Sequence, residues 1–303
     1  GGVRRQDPEK NSDGISFIKK YQERWLIDDV DEAAEPLLEF VKNHDKVIQA
    51  ALGGSLRRRF ETFKDVDIVA SCADEDRKQI MREFTELESV DTIIGSGETK
   101  TSLRLESGIN ADLRLVSDEQ FPYALHHFTG SKEHNTAMRS LAKSMDMKMN
   151  EYGLFRNKDE LVECTDEVEI FEALGLAYIP PELRENTGEI EFAKDAEIPE
   201  LLQMEDIQGV FHVHTHYSDG VPGIREWVEY CVGQGYEYLG ITDHSQSAFY
   251  ANGLTPDRVQ EQWDEMAEVQ EEFPDFTLFR GIESDILPDG SLDYEDDILA
   301  QFD

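Results

Sequence analysis

Residues 65 to 70 read Asp65-Val66-Asp67-Ile68-Val69-Ala70, and no other run constrains the fold as strongly. The β-branched and apolar residues favour a strand, and side chains two apart on a strand leave from the same face. Asp65 and Asp67 therefore project together. Two carboxylates on one face can share divalent cations.

Such a pair wants a third carboxylate from a neighbouring strand. Ile109-Asn110-Ala111-Asp112-Leu113-Arg114-Leu115-Val116 offers Asp112 between strand-forming residues. Three carboxylates suit two magnesium ions held roughly 4 Å apart, the arrangement used for in-line phosphoryl displacement. Upstream lies Gly54-Ser55-Leu56-Arg57-Arg58-Arg59. Gly54 allows close backbone approach, Ser55 brings a hydroxyl and an amide, and Arg58 can fork onto phosphate oxygens. Each piece alone has a plain reading: Asp-x-Asp as a solvated or turn-capping pair, the arginines as a solvated face, the glycines as a simple turn. In this order, with Asp112 downstream, they point to metal-dependent nucleotidyl transfer.

These residues resemble the family X DNA polymerases, whose palm begins with Gly-Ser-x-Arg-Arg, continues to Asp-x-Asp and is completed by a later Asp. His127-Phe128-Thr129-Gly130-Ser131-Lys132-Glu133-His134-Asn135, followed by Arg139, looks like the family's thumb segment. Glu151 to Phe155 and Gly175 to Arg184 resemble the bacterial and archaeal branch, so the likeness covers most of residues 15 to 200. It implies Asp65, Asp67 and Asp112 as catalytic metal ligands for Mg²⁺ or Mn²⁺, with Asp112 nearest the primer hydroxyl. It also implies Gly54, Ser55 and Arg58 on the triphosphate, and His127, Phe128, Gly130, Asn135 and Arg139 around the nucleotide and DNA. Two positions depart from the pattern: Arg59 stands where glycine is usual, and His127 replaces the first thumb aromatic. Plain readings remain for Phe128 as core and for Asn135 and Arg139 as an i,i+4 helix pair.

A second constellation follows in Phe211-His212-Val213-His214-Thr215-His216-Tyr217-Ser218-Asp219-Gly220. A strand would aim His212 and His214 at one place, and neutral imidazole is a common ligand for zinc and similar metals. Asp219 and the Asp243-His244 pair after Tyr238-Leu239-Gly240-Ile241 add donors at loop ends. Asp243 reads as orienting His244, and His216 stays unassigned. This half resembles the PHP domain, the polymerase and histidinol phosphatase superfamily. By that resemblance His212, His214, Asp219, His244 and Glu283 are ligands of a Zn²⁺ or Mn²⁺ cluster on a distorted barrel of parallel strands and helices. A 3′-5′ exonuclease or phosphoesterase activity is implied. The pattern requires further histidines, yet none follows His244, and the family's lyase-type and helix-hairpin-helix modules are missing at the front. The expectation is a fragment with an incomplete hydrolytic centre.

The fold class expected is α/β and α+β: a nucleotidyltransferase palm of mixed sheet and helices, a thumb, then the start of the β/α barrel. Residues 1–14 read as a polar segment, 15–120 as palm, 121–184 as thumb, 185–205 as an acidic linker and 206–303 as incomplete PHP domain. An amphipathic helix is expected over 15–43 with Phe17, Tyr21, Trp25, Leu26, Leu37, Leu38 and Phe40 on its apolar side. Strands are expected near 47–52, 65–71, 99–106 and 109–116, helices near 75–88, from about 118 and from about 131, and another over 224–234.

Sixty-six Asp and Glu residues against 29 Lys and Arg give a net charge of −37, the opposite of what phosphate binding wants. The basic residues nevertheless gather at the motifs: Arg57, Arg58, Arg59 and Lys64 at the palm, and Lys132, Arg139, Lys143 and Lys148 at the thumb. The carboxylate excess suits a concentrated-salt cytoplasm, where repulsion is screened. Three scattered cysteines, Cys72, Cys164 and Cys231, fit a reducing cytoplasmic compartment, and no membrane span or signal peptide is expected. The expected partners are gapped or primed DNA and dNTPs, and the expected work is gap filling in DNA repair. The alternatives are a PHP phosphoesterase with a scaffolding palm, a non-catalytic gapped-DNA-binding module, and a nucleotidyltransferase with a non-DNA acceptor.

Overall fold

The computed structural model describes residues 24–157 and 159–303. Phe17 and Tyr21 of the expected first helix lie outside the described residues. The described residues divide into two compact units, the second running from Glu200 to Asp303.

In the first unit α1 (Ile27–Asn43) buries Val30, Ala34, Leu37 and Val41, a stripe at three- and four-residue spacing. There follow β1 (Val47–Leu52), the single turn α2 (Gly54–Arg57), β2 (Asp65–Cys72), α3 (Arg77–Thr85), β3 (Val90–Ser96), β4 (Lys100–Leu105) and β5 (Asn110–Val116). The strands form one mixed sheet in the order β1-β2-β5-β4-β3, in which only β2 and β5 run parallel. Strand alternation sorts the two faces. Val66, Ile68, Ala70, Leu103, Ala111, Leu113 and Leu115 join α1 and α3 in one core. On the other face, α4 (Phe121–Thr129) lays Phe121, Ala124 and Leu125 on Val69 and Val116. By the same alternation Asp65, Asp67 and Asp112 share that face with Val69 and Val116, so it runs from an apolar end under α4 to a carboxylate end.

The capping box of Ser117 and Gln120 starts the path into α4. Ser131 then caps α5 (Lys132–Ser144) by accepting from the His134 amide at 3.0 Å. A small antiparallel sheet, β6 (Lys148–Asn150), β7 (Gly153–Arg156) and β8 (Glu160–Leu161), packs with α5, α6 (Glu167–Ala173) and α7 (Glu189–Lys194) around Met138, Phe171, Ile179 and Ile190.

Two expectations need correction. No strand was expected over β3; it is an edge strand with nearly every residue exposed, so it has no buried face to impose a pattern. The 185–205 stretch, expected as a linker, instead contains α7, whose Ile190 and Ala193 are buried in the core around Phe171. The division between units falls after Pro199.

The second unit alternates β9 (Gly209–Val213), α8 (Ile224–Gly233), β10 (Tyr238–Ile241), α9 (Pro256–Glu272) and β11 (Thr277–Arg280), then ends in α10 (Asp296–Leu299). The strands are parallel in the order β11-β10-β9. Ile224, Val228, Trp263 and Met266 of α8 and α9 cover Leu239 and Ile241. Phe211, Tyr238 and Phe279 form a separate aromatic cluster with centroids 5.2 to 5.9 Å apart. The described strands make an open three-stranded parallel sheet with β9 and β11 as edges, and a closed barrel is not shown among the described residues.

Candidate active site and metal centre

Asp67 and Asp112 are direct partners across the parallel β2–β5 pair, and Asp65 lies opposite Asn110. The three expected acids therefore occupy neighbouring positions on one face. Gly54 sits against them at φ +61°, and a Cβ there would lie 2.3 Å from Asp67 Oδ2. Glycine is needed both for this left-handed conformation and for the space. The Gly53 amide fixes the turn by donating to the Asp67 carbonyl at 2.8 Å, and Ser55 lies in the α2 turn.

The acids strain against each other. Asp67 is pushed up to about 7 by burial and then by Asp65 and Asp112. Asp65 is raised by burial and then by Asp112. Lys100 Nζ answers part of this charge at 2.6 Å from Asp112 Oδ2. Hard oxygen donors in a half-buried, mutually repelling set suit divalent cations such as Mg²⁺ or Mn²⁺.

The arginine run is largely committed to protein partners. Arg57 donates to Thr129 Oγ1 at 2.7 Å and to Glu167 Oε2 at 2.5 Å. Arg58 donates through Nε to Glu185 Oε1 at 2.5 Å and through Nη1 to the Thr129 carbonyl at 2.8 Å; Nη2 takes part in neither bond. Arg59 has φ +53°, which gives the reason glycine suits this place. Among the described residues its exposed guanidinium reaches only Asp31, at 3.6 Å.

His127 is half-buried, and that burial lowers its imidazole below the usual range. Its ring stands edge-on to Phe128 at 4.9 Å, and the Arg114 guanidinium lies 3.9 Å from the Phe128 ring centre. Phe128 and Arg114 line a cleft of about 360 Å³ with Arg77, Thr99, Glu151 and Tyr152. Asn135 is buried and donates to the His127 and Gly130 carbonyls at 2.7 and 3.0 Å, holding the turn between α4 and α5. Gly130 fits closely there, since a Cβ would come within 2.8 Å of His134. Arg139 is exposed and meets Thr136 Oγ1 at 3.2 Å. The motif reading missed Lys100, Arg114, Glu167, Arg184 and Glu185, because their roles depend on strand register and helix packing that no local motif encodes.

In the second unit the five expected ligands converge. His212, His214 and Glu283 form one group with ligand atoms within 4.8 Å, and His214, Asp219 and His244 form another. Glu283 Oε2 lies 3.3, 3.1 and 3.2 Å from ring nitrogens of His212, His214 and His244. His214 Nδ1 lies 2.9 Å from Asp219. Simple strand alternation is not the cause. The β9–β10 register shifts across Phe211 and His212, His212 has φ +63°, and β9 ends before His214. Asp243 does not orient His244 in the way expected. It is fully buried and accepts from the Thr215 amide and hydroxyl, Ser218 and Gln262, pinning the loop that carries Asp219. His216 is exposed and belongs to neither group. Three imidazoles with two carboxylates suit Zn²⁺ or Mn²⁺.

A mixed sheet bearing paired strand carboxylates beneath a Gly-Ser turn, followed by a helical region tied back to that turn, is the arrangement expected of a nucleotidyltransferase palm and thumb. Residues 124–185 match the family described as DNA polymerase beta thumb. The chain is 39% identical over 305 residues to "DNA polymerase/3'-5' exonuclease PolX" of Bacillus subtilis (strain 168), covering 100% of this chain and 53% of that protein. It is 32% identical over 136 residues to "Repair DNA polymerase X" of African swine fever virus (isolate Warthog/Namibia/Wart80/1980), covering 43% of this chain and 78% of that protein. A Leishmania infantum polymerase beta structure, described as a ternary P/T complex, has a TM-score of 0.48 and 24% identity over 61% of this chain and 84% of its own. The chain belongs to the family X DNA polymerases. It spans about half the length of its Bacillus subtilis relative. No helix among the described residues is long and apolar enough to cross a membrane.

Proposed function

We propose that this chain carries the palm and thumb of a repair polymerase that adds dNTPs to a primer 3′-hydroxyl in gapped or primed DNA. The observation behind this reading is the Asp67–Asp112 register on parallel strands, with Gly54 against Asp67 Oδ2. Asp65, Asp67 and Asp112 would hold two divalent cations. Bound there, the cations supply charge stabilisation to the attacking and leaving oxygens of the displacement. Asp112 lies on the primer side. The Gly54-Ser55 turn and Arg58 receive the triphosphate, with Thr129 and Glu185 setting the plane of the guanidinium before it binds. The Phe128 ring under Arg114, with His127, Gly130, Asn135 and Arg139, borders the nucleotide and template. Replacing Asp67 with Ala should abolish primer extension on gapped DNA while thermal unfolding stays cooperative. Incorporation that survives in that variant removes the reading.

The five converging ligands in residues 212–283 favour a second, hydrolytic activity of the 3′-5′ exonuclease or phosphoesterase type. His212, His214, Asp219, His244 and Glu283 would hold its cations. His244→Ala should remove 3′-end degradation while extension continues, and Asp67→Ala should do the reverse.

A further inference from the structure

The second unit has almost no cationic means of holding a nucleic acid. Residues 200–303 contain twenty-four Asp and Glu against three arginines and no lysine. All three arginines are occupied. Arg225 pairs with Glu272, Arg258 donates to the Asn252 and Tyr217 carbonyls, and Arg280 faces Asp303. A strand reaching the His and carboxylate centre can therefore gain little from phosphate contacts to side chains. Within residues 200–303, attraction is left to cations at the centre and to uncharged contacts.

One feature beside the centre offers such contacts. Phe249 and Tyr250 are 89% and 84% exposed, although they lie on a tightly fixed turn. The Ala248 amide donates to Ser245, the Gly253 amide to Ala248 and the Leu254 amide to His244, at 3.1, 3.1 and 2.8 Å. The Ser247 amide is held by Asp293 at 2.6 Å. Gly253 is packed so closely that a Cβ would lie 1.8 Å from the Ser245 carbonyl oxygen. Ala248, Ala251 and Leu254 are buried beneath, so the turn turns its small residues inward and its two large rings outward. The Tyr250 ring stands 5.9 Å from the His244 ring, edge to face. Two rigidly presented aromatic rings next to the His and carboxylate cluster form a stacking step, and base stacking is indifferent to the charge of the surface.

We propose that Phe249 and Tyr250 receive the terminal nucleobase of a single strand whose last phosphodiester lies at the His212, His214, Asp219, His244 and Glu283 centre. The inference rests on reading that centre as a metal site. Recognition there is by ring faces, so it accepts any of the bases, is blind to sequence, and depends only weakly on ionic strength.

The test uses the full chain with Mn²⁺. Manganese binding is followed by electron paramagnetic resonance, and calorimetry measures affinity for a thymidine trinucleotide and for the same trimer with an abasic 3′ sugar. Phe249→Ala/Tyr250→Ala should keep manganese binding and lose at least about fivefold in affinity for the intact trimer. The abasic trimer should bind the variant and the parent equally. Phe249→Leu/Tyr250→Leu, which keeps bulk without a ring face, should behave like the alanine pair, and Tyr250→Phe should retain affinity. Unchanged trimer affinity with manganese bound overturns the stacking step alone, as does an equal loss for both trimers. Manganese binding that is absent in the parent, or indifferent to His244→Ala, removes the metal reading and the step with it.

Discussion

Arg59 occupies a left-handed conformation, φ +53°, that costs a non-glycine residue roughly 1–2 kcal/mol. Among the described residues its compensation is small, because the contact to Asp31 is exposed on both sides. Arg59→Gly should therefore stabilise the first unit by about 0.5–1 kcal/mol after the backbone entropy of glycine is deducted, read as a higher urea midpoint. A lower midpoint would show that the guanidinium contributes more than this geometry allows. Asp67 is a second residue held against its preference. Its carboxyl is raised to about 7 in the folded chain from an ordinary 3.8, so the folded state binds a proton more readily than the unfolded one. The contribution is complete below the unfolded value and is lost as pH rises through about 7. In EDTA, Asp67→Asn should raise stability at pH 8 by roughly 2 kcal/mol or more and by much less at pH 5. Thermal unfolding at the two pH values checks this, and equal gains at both would contradict it.

The elements around α2 are joined by one buried charge network. Glu167 of α6 accepts from Arg57 at 2.5 Å and also from the wholly buried Arg184. Burial alone would raise the Glu167 carboxyl, but Arg184 and Arg57 outweigh it and hold it below the usual range. That contribution is present above the unfolded value and disappears as pH falls through the lower folded one. Glu167→Gln leaves Arg184 without its counter-charge and should destabilise by about 3–5 kcal/mol, visible in urea unfolding at pH 7. Extension should fall too, since the α2 turn loses its tie to α6. A neutral result would mean that Arg184, which also donates to the Ile179 carbonyl at 2.8 Å, needs no carboxylate. This network also marks what the sequence could not convey. Asp65 and Asp67 were legible because their relation is a two-residue spacing, and Asp112 because its own strand was recognisable. Lys100, Glu167 and Glu185 reach the site only through register and packing across long stretches of chain. β3 was missed because an exposed edge strand carries no alternation, and α7 because a six-residue acidic helix shows only Ile190 and Ala193 as apolar inward residues. His212 and His214 were paired for the wrong local reason, since a shifted register and a left-handed residue bring them together.

For the whole molecule, charge decides under which conditions these parts can work. A net charge of −37 disfavours compactness in dilute buffer and repels DNA, while the palm and thumb still require phosphate contacts. Salt acts on these two effects in opposite directions. It shortens the reach of carboxylate repulsion from about 10 Å at 0.1 M to about 3 Å at 1 M, and it weakens the ion pairs between arginine and phosphate. The repulsion involves dozens of exposed carboxylates, whereas the phosphate contacts engage the smaller basic set at the palm and thumb, in which Arg57 already pairs with Glu167 and Arg58 with Glu185. Stabilisation should therefore dominate. Raising potassium chloride from 0.05 to 1 M should increase the unfolding temperature by roughly 5 °C or more, equivalent to about 2 kcal/mol for a unit of this size. DNA affinity over the same range should fall with a shallower slope than a basic polymerase shows. Calorimetric scans and salt titrations of gapped-DNA binding measure the two terms separately. An unfolding temperature that stays flat or falls with salt would mean that the carboxylate surface does not limit stability, and the salt-adapted reading of the composition would fail.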